Sequence, residues 1–148
     1  MTTITRIKDL EISALDGLRE ESSREGYKFI GRLCDEWVSG ANRFSGPGEA
    51  LFLATDGGQV VGVCGLNLDP YAHDPRIGRV RRLYVLPVHR GGGVGRALLE
   101  AVVDHARSHF KWLRARTEEA SEFYIAHGFR HVVAEAETTH VLELFPAV

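Results

Sequence analysis

The chain has 148 residues, 44% of them hydrophobic and 26% charged, with 18 basic against 20 acidic side chains and a net charge of −2. That length and balance suit one domain over residues 1–148, and they argue against intrinsic disorder and against broad electrostatic binding of nucleic acid. No apolar run approaches the ~20 residues that span a bilayer, no signal-peptide core follows Met1, and two cysteines, Cys34 and Cys64, do not make a disulfide scaffold, so the expected compartment is the cytoplasm.

Thr3 to Ile7 reads as a short strand. Ser13 is placed to cap a helix running to about Arg24, with Leu15 and Leu18 on one face, and Gly26 interrupts it. Phe29, Ile30, Leu33, Cys34 and Trp37 recur at helical spacing, which predicts a second helix over Tyr27 to Val38. Gly40 to Gly48 is a loop. Leu51 to Thr55 and Gln59 to Leu66 read as strands joined by a turn at Asp56-Gly57-Gly58. Asp69 to Pro75 is a loop with two turn-forming prolines. Arg79 to Leu86 is a fourth strand, where the adjacent Arg81 and Arg82 break the in/out alternation and fit a bulge.

Val94, Ala97, Leu98, Ala101, Val102 and His105 fall on one helical stripe, which predicts a helix from Gly93 to Ser108. Lys111 to Arg116 is a short strand. Glu118 to Ala126 is a helix closed by His127-Gly128, and Phe129 to Ala134 and Thr138 to Phe145 are the last strands. The order β-α-α-β-β-β-α-β-α-β-β predicts a mixed α/β sheet with helices packed on it. The seven histidines show no metal pattern, and His105 and His109 lack an evident third ligand.

Glycine is in excess, at 16 of 148 residues against a usual ~7%. Four of the sixteen stand together in Arg90-Gly91-Gly92-Gly93-Val94-Gly95-Arg96, between a strand and the clearest helix. Without side chains, consecutive N–H groups can converge on an anion, and the helix's first turn adds unpaired donors and a positive dipole end. The turn therefore reads either as a phosphate cradle or as a flexible connection. A dinucleotide fingerprint starting at Gly93 would need Gly or Ala at Leu98, and no Gly-Lys-Ser/Thr exists for nucleotide hydrolysis.

Arg90-x-x-Gly93-x-Gly95 resembles the Arg/Gln-x-x-Gly-x-Gly/Ala hallmark of the GNAT superfamily of acyl-CoA-dependent N-acetyltransferases. Leu83-Tyr84-Val85-Leu86-Pro87 looks like that family's L-x-V-x-P lead-in, and Ala120-x-x-Phe123-Tyr124-x-x-x-Gly128-Phe129 resembles its second block, in the family's order and spacing. The resemblance implies a mixed, mostly antiparallel central sheet of about seven strands with helices on both faces. It implies acetyl-CoA as co-substrate, with no metal, and a small-molecule or peptide primary amine as acceptor. It is compatible with a homodimer and gives no membrane or nucleic-acid partner.

By the same resemblance, Arg90, Gly91, Gly92, Gly93, Val94, Gly95 and Arg96 hold the coenzyme pyrophosphate, chiefly through backbone amides. Leu83, Tyr84 and Val85 offer backbone groups to the pantetheine arm, which enters between splayed fourth and fifth strands. Thr117 stands where relatives often carry asparagine and offers a hydroxyl to that arm. Tyr124 aligns with the tyrosine near the sulfur and is the candidate general acid, with Phe123 as its core neighbour.

Direct attack by the amine would need no covalent enzyme intermediate, and a backbone N–H near Val85 could polarise the thioester oxygen. Many relatives place a base on the fourth strand, but Arg79-Val80-Arg81-Arg82 has no carboxylate. The candidates move to Asp69, His73 and Asp74 in the preceding loop, each also readable as a solvated turn residue. A water relay, or an amine arriving neutral, would serve as well. Arg79, Arg81 and Arg82 could orient an anionic acceptor or form a solvated face. Tyr27, Phe29, Trp37 and Phe44 could line an acceptor pocket or pack the core. A different acyl donor, or a non-catalytic acyl-CoA sensor, would carry the same cradle.

Overall fold

The computed structural model describes residues 1–144. Strand β1 spans Thr2–Ile7, helices α1 and α2 span Asp16–Arg24 and Phe29–Ser39, and strands β2, β3 and β4 span Ala50–Asp56, Gln59–Leu68 and Ile77–Val85. Helix α3 (Val94–Ala106), β5 (Trp112–Ala115), α4 (Ser121–Ala126), β6 (Arg130–Glu135) and β7 (Thr138–Glu143) follow. The strands form a seven-stranded sheet in the order β1-β2-β3-β4-β5-β7-β6. Every neighbouring pair is antiparallel except β4 and β5.

The layering follows from side-chain alternation. All five residues from Ala50 to Ala54 are buried, as expected of a strand covered on both faces. Leu51 and Leu53 pack with Leu15, Leu18, Ile30 and Leu33 of the α1–α2 layer. Phe52 and Ala54 point the other way, to Leu98, Leu99 and Val102 of α3. Each of these large side chains contributes about 1.5–3 kcal/mol by burial. A Cβ at Gly62 of β3 would lie 3.0 Å from Leu98 Cδ1, so this glycine lets the first turns of α3 sit close on the sheet.

Several element ends differ from the sequence expectation. Ser13 caps nothing; a 3-10 turn over Ile12–Leu15 leads into α1, which begins at Asp16 with an acid in its first turn. Helix α4 starts at Ser121, because Thr117 Oγ1 accepts the Ala120 N–H at 2.9 Å and holds the preceding residues in a turn. Gly57 and Gly58 both adopt positive φ between paired Asp56 and Gln59, the two-residue hairpin their composition asks for. Phe145, expected in the last strand, lies outside the described residues.

The site is created where β4 leaves its neighbour. Between Val63 and Gly65 the partner positions on β4 run from Tyr84 to Arg81, one residue too many, and Arg82 carries the strain at φ +61°. This is the bulge expected at Arg81-Arg82. Parallel pairing with β5 covers only Ile77 to Arg79 against Trp112 to Arg114 and then stops. Beyond it the two strands diverge and leave a V.

Candidate active site

A cleft of about 930 Å³ opens from the V and runs between the α1–α2 layer, β4 and the segment leading into α4. At one end lies the glycine turn. Gly91 and Gly93 have φ of +83° and +88°, and an added Cβ at either would meet nothing within 4 Å. These two glycines answer a conformational need. Gly92 and Gly95 do not have positive φ, and an added Cβ would meet no protein atom closer than 3.7 Å. The protein itself gives no reason for glycine there; the space in front of the backbone has been kept open.

The first bond of α3 runs from Ala97 N–H to Gly93 O at 3.0 Å. Ahead of it, the N–H groups from Gly91 to Arg96 have no partner among the described residues. A run of free donors at the positive end of a 13-residue helix fits a pyrophosphate.

Arg90 does not point its guanidinium into that turn. Its Nε donates to Val85 O at 2.9 Å, and its two terminal nitrogens fork onto the Glu25 carboxylate at 2.6 and 3.0 Å. Tyr84 donates its hydroxyl to the same carboxylate. Both partners, Arg90 first, hold the Glu25 carboxyl below its usual range, whereas burial and Glu25 push the Tyr84 phenol up. Arg90 is thus a brace between the end of α1 and the end of β4. Arg96, also expected near the phosphates, pairs its side chain with Glu100 at 3.0 Å.

Backbone direction along β4 is set by Leu86, whose N–H donates to Val61 O of β3 at 2.9 Å. By alternation, Leu83 and Val85 present their N–H and C=O groups to the open side of the V. The Val85 carbonyl is taken by Arg90, which leaves its N–H. Tyr84 faces β3 with its backbone and the α1–α2 core with its ring.

The opposite wall carries Thr117, Phe123 and Tyr124. The Thr117 hydroxyl accepts from Ala120, which leaves its own proton to donate into the cleft. The roles expected of the aromatic pair are partly exchanged. Phe123 is only partly buried and lies beside Gly95, 3.8 Å from where its Cβ would be, whereas Tyr124 is 5% exposed and belongs to the core, with its ring edge-on to Phe129 at 5.1 Å. Burial holds the Tyr124 phenol far above its ordinary range, so it keeps its proton. Buried His140, bonded to Ser121 and Thr139 at 2.8 Å each, steadies the start of α4, and burial lowers its affinity for a proton.

On the acceptor side, Tyr27 and Phe29 line the cleft, while Trp37 and Phe44 are core residues. Tyr27 donates to Glu119 across the cleft at 2.5 Å, a contact between residues 92 apart in the chain. Arg79 is not available to an acceptor. It pairs with buried Asp69 at 3.1 Å and donates to the carbonyls of Ala136 and Glu137 and to Thr138 Oγ1. Ala136 and Glu137 form the β6–β7 turn with positive φ and no glycine, so Arg79 holds a strained turn in place.

His73 and Asp74 line no part of the cleft. His73 is exposed, and Asp74 is clamped by Arg76, which brings its pKa to about 2 and makes it a poor base. The loop carboxylate Asp69 is consumed by Arg79 and by the Tyr71 N–H. The cleft's own carboxylates are Glu36, Glu118, Glu119 and Glu137, and Glu25 stands behind Arg90. Each meets its partner across a long stretch of chain or through a turn, and no local spacing marks it. Cys34 and Cys64 are buried free thiols, and burial raises both above the usual thiol range.

A family model described as an acetyltransferase (GNAT) domain matches residues 47–131. The structure of a protein assigned as an acetyltransferase from Exiguobacterium sp. 255-15 superposes with a TM-score of 0.88 at 33% identity, covering 97% of this chain and 93% of that one. The Escherichia coli GNAT family N-acetyltransferase YhbS, in complex with CoA, gives 0.69 at 19% identity, covering 97% and 82%. Neisseria gonorrhoeae N-acetylglutamate synthase, complexed with coenzyme A and N-acetyl-glutamate, gives 0.69 at 18% identity over 98% of this chain but 35% of its own. The last two likenesses show the fold. No curated protein matches the chain.

Proposed function

The chain belongs to the GNAT acetyltransferase family, and we propose that it transfers the acetyl group of acetyl-CoA to a primary amine by direct attack in a ternary complex. The observation that carries this reading is the pair Gly92 and Gly95, glycine without conformational need, in a turn whose N–H groups are unclaimed. The backbone from Gly91 to Arg96 would hold the pyrophosphate, and the open edge at Leu83 and Val85, with Thr117, would hold the pantetheine arm. When bound, the thioester supplies an electrophilic acetyl carbonyl whose transfer yields an amide and a free thiol.

This chain's residues then have separable tasks. The Val85 N–H, aimed into the V, donates to the carbonyl oxygen as charge builds on it. Tyr124 lines the cleft with its phenol protonated, and it would hydrogen-bond the departing sulfur and pass it a proton as the thiolate forms. Glu119 receives the amine's proton: alone among the cleft carboxylates it faces a neutral phenol, Tyr27, rather than a guanidinium. Asp74, already held as an anion by Arg76, is assigned no role.

The test is a panel of amines with acetyl-CoA, read by thiol release and by mass of the acetylated product, beside a calorimetric titration with coenzyme A. Coenzyme binding with amide formation supports the proposal. Tight coenzyme binding with no acetylated amine would make the chain a sensor of acyl-CoA, and absence of both would end the reading. No helix among the described residues is long and apolar enough to cross a membrane.

A further inference from the structure

The guanidinium groups lining the cleft are unequal. Arg79 is buried against Asp69, Arg82 reaches Glu36 at 2.9 Å, Arg90 forks onto Glu25, and Arg116 pairs with Glu137 and, at 3.7 Å, with Glu118. Arg81 lines the same cleft, is partly buried, and has no hydrogen bond or ion pair among the described residues. Burial and the charges of Arg82 and Arg79 weigh against its charged form. Only Glu36, already spent on Arg82, and Tyr71 weigh in its favour. A guanidinium does not give up its proton at neutral pH, so the free protein keeps an uncompensated charge in a place partly withdrawn from water.

The backbone holds it there at a cost. The bulge sets Arg81 and Arg82 consecutively along the cleft wall, with Arg82 at φ +61°. Regular alternation would turn one of them towards the α3 face, where Val80 is buried. The strained Arg82 is held by Glu36, but the Arg81 charge that the bulge sets beside it serves no hydrogen bond or ion pair among the described residues, which marks a place where a ligand completes the set. On the α2 wall of the same cleft, Arg32 also has no side-chain partner among the described residues.

We infer that Arg81, with Arg32, forms a subsite for an oxyanion carried by the acceptor, so that the acceptor is an amine bearing a carboxylate or phosphate rather than a polyamine or a neutral amine. This rests on the acetyl-transfer reading, and the two can fail separately.

The test uses matched acceptors in the thiol-release assay: lysine against cadaverine, phenylalanine against phenethylamine, and phosphoethanolamine against ethanolamine. The anionic member of at least one pair should be favoured in kcat/KM by about tenfold or more, the scale of one charge-assisted contact. The carboxylate and phosphate pairs distinguish the two anion sources. In Arg81→Met that preference should collapse to about twofold or less, mainly through KM, with Arg81→Lys between. A preference for the members that lack the anionic group, or an anion preference that survives in Arg81→Met, would overturn the inference.

A second readout needs no turnover. Calorimetric titration of the coenzyme A-loaded protein with N-acetyl-phenylalanine and with N-acetyl-lysine should show binding that Arg81→Met weakens by about tenfold. Anion binding without acetylation of any amine would sink the transfer reading and leave the subsite standing. Turnover without anion preference would do the reverse. Because Arg81 has no hydrogen bond or ion pair among the described residues to lose and methionine keeps an apolar stem in its place, Arg81→Met should melt at or above the wild-type temperature, and a clear drop would make the residue structural and end the inference.

Discussion

Replacing Gly95 by glutamate separates stability from coenzyme affinity. The position is in the first turn of α3 and does not have positive φ, and the nearest atoms to an added Cβ are Val85 Cγ2 at 3.7 Å and Phe123 at 3.8 Å, ordinary contacts. Gaining a helix-favouring residue is worth about 0.5–1 kcal/mol, and an acid at a helix start roughly 0.3–1 more. The free protein should therefore gain about 1 kcal/mol and melt some 2–4 °C higher. The coenzyme should respond oppositely. A unit charge about 5 Å from a bound diphosphate, at an effective dielectric near 20, is repelled by about 3 kcal/mol per phosphate charge, and salt screening at this open turn leaves roughly 2 kcal/mol, some thirtyfold in Kd. Differential scanning calorimetry without ligand and isothermal titration with coenzyme A measure the two sides. Gly95→Gln isolates bulk from charge and should lose less affinity. Gly93→Glu is the contrasting case: at φ +88° it should cost about 1–2 kcal/mol of stability as well as affinity. An unchanged Kd in Gly95→Glu would refute the placement of phosphate at this helix start.

Tyr124→Phe should lower kcat by roughly 10²–10⁴ with little change in coenzyme affinity, and full turnover in a chemistry-limited assay would remove the acid role. Glu119→Gln should lower kcat by roughly 10²-fold or more with little change in coenzyme affinity, and full turnover would reassign the base. Because the folded carboxyl of Glu25 binds its proton less tightly than an unfolded one, its contribution to stability is present above the usual carboxylate range and fades as pH falls through the folded pKa. Glu25→Gln should therefore weaken the acid dependence of urea unfolding, and an identical dependence would dismiss the brace. Asp69→Asn strands the buried Arg79 charge and should cost about 3 kcal/mol in urea denaturation, and a loss below about 1 kcal/mol would mean the strained β6–β7 turn holds without it.

Legibility from sequence tracked the range of the cause. The stripe on α3, the Gly57-Gly58 hairpin and the adjacent arginines of β4 are local signals, and each appears near its expected place, including the bulge. The glycine turn is local too, and so were the motifs around Arg90 and Tyr124. Ser13 failed as a cap because the 3-10 turn at Ile12–Leu15 brings the chain into α1 by another route. The loop residues Asp69, His73 and Asp74 were attractive for their chemistry alone; two are spent on arginines and the third faces solvent.

The amino-acid sequence by itself determined which segments coil or extend and where backbone lies bare for a ligand, because those properties depend on spacing of three or four residues and on the absence of a Cβ. Only the folded chain decided which charges are spent and which remain. Arg79, Arg81 and Arg82 look alike along the strand, yet Asp69, Glu36 and the β6–β7 turn claim two of them. A guanidinium's role is set by the acids that the packing of distant elements brings within about 3 Å of it, and such pairings leave no periodic trace in the chain.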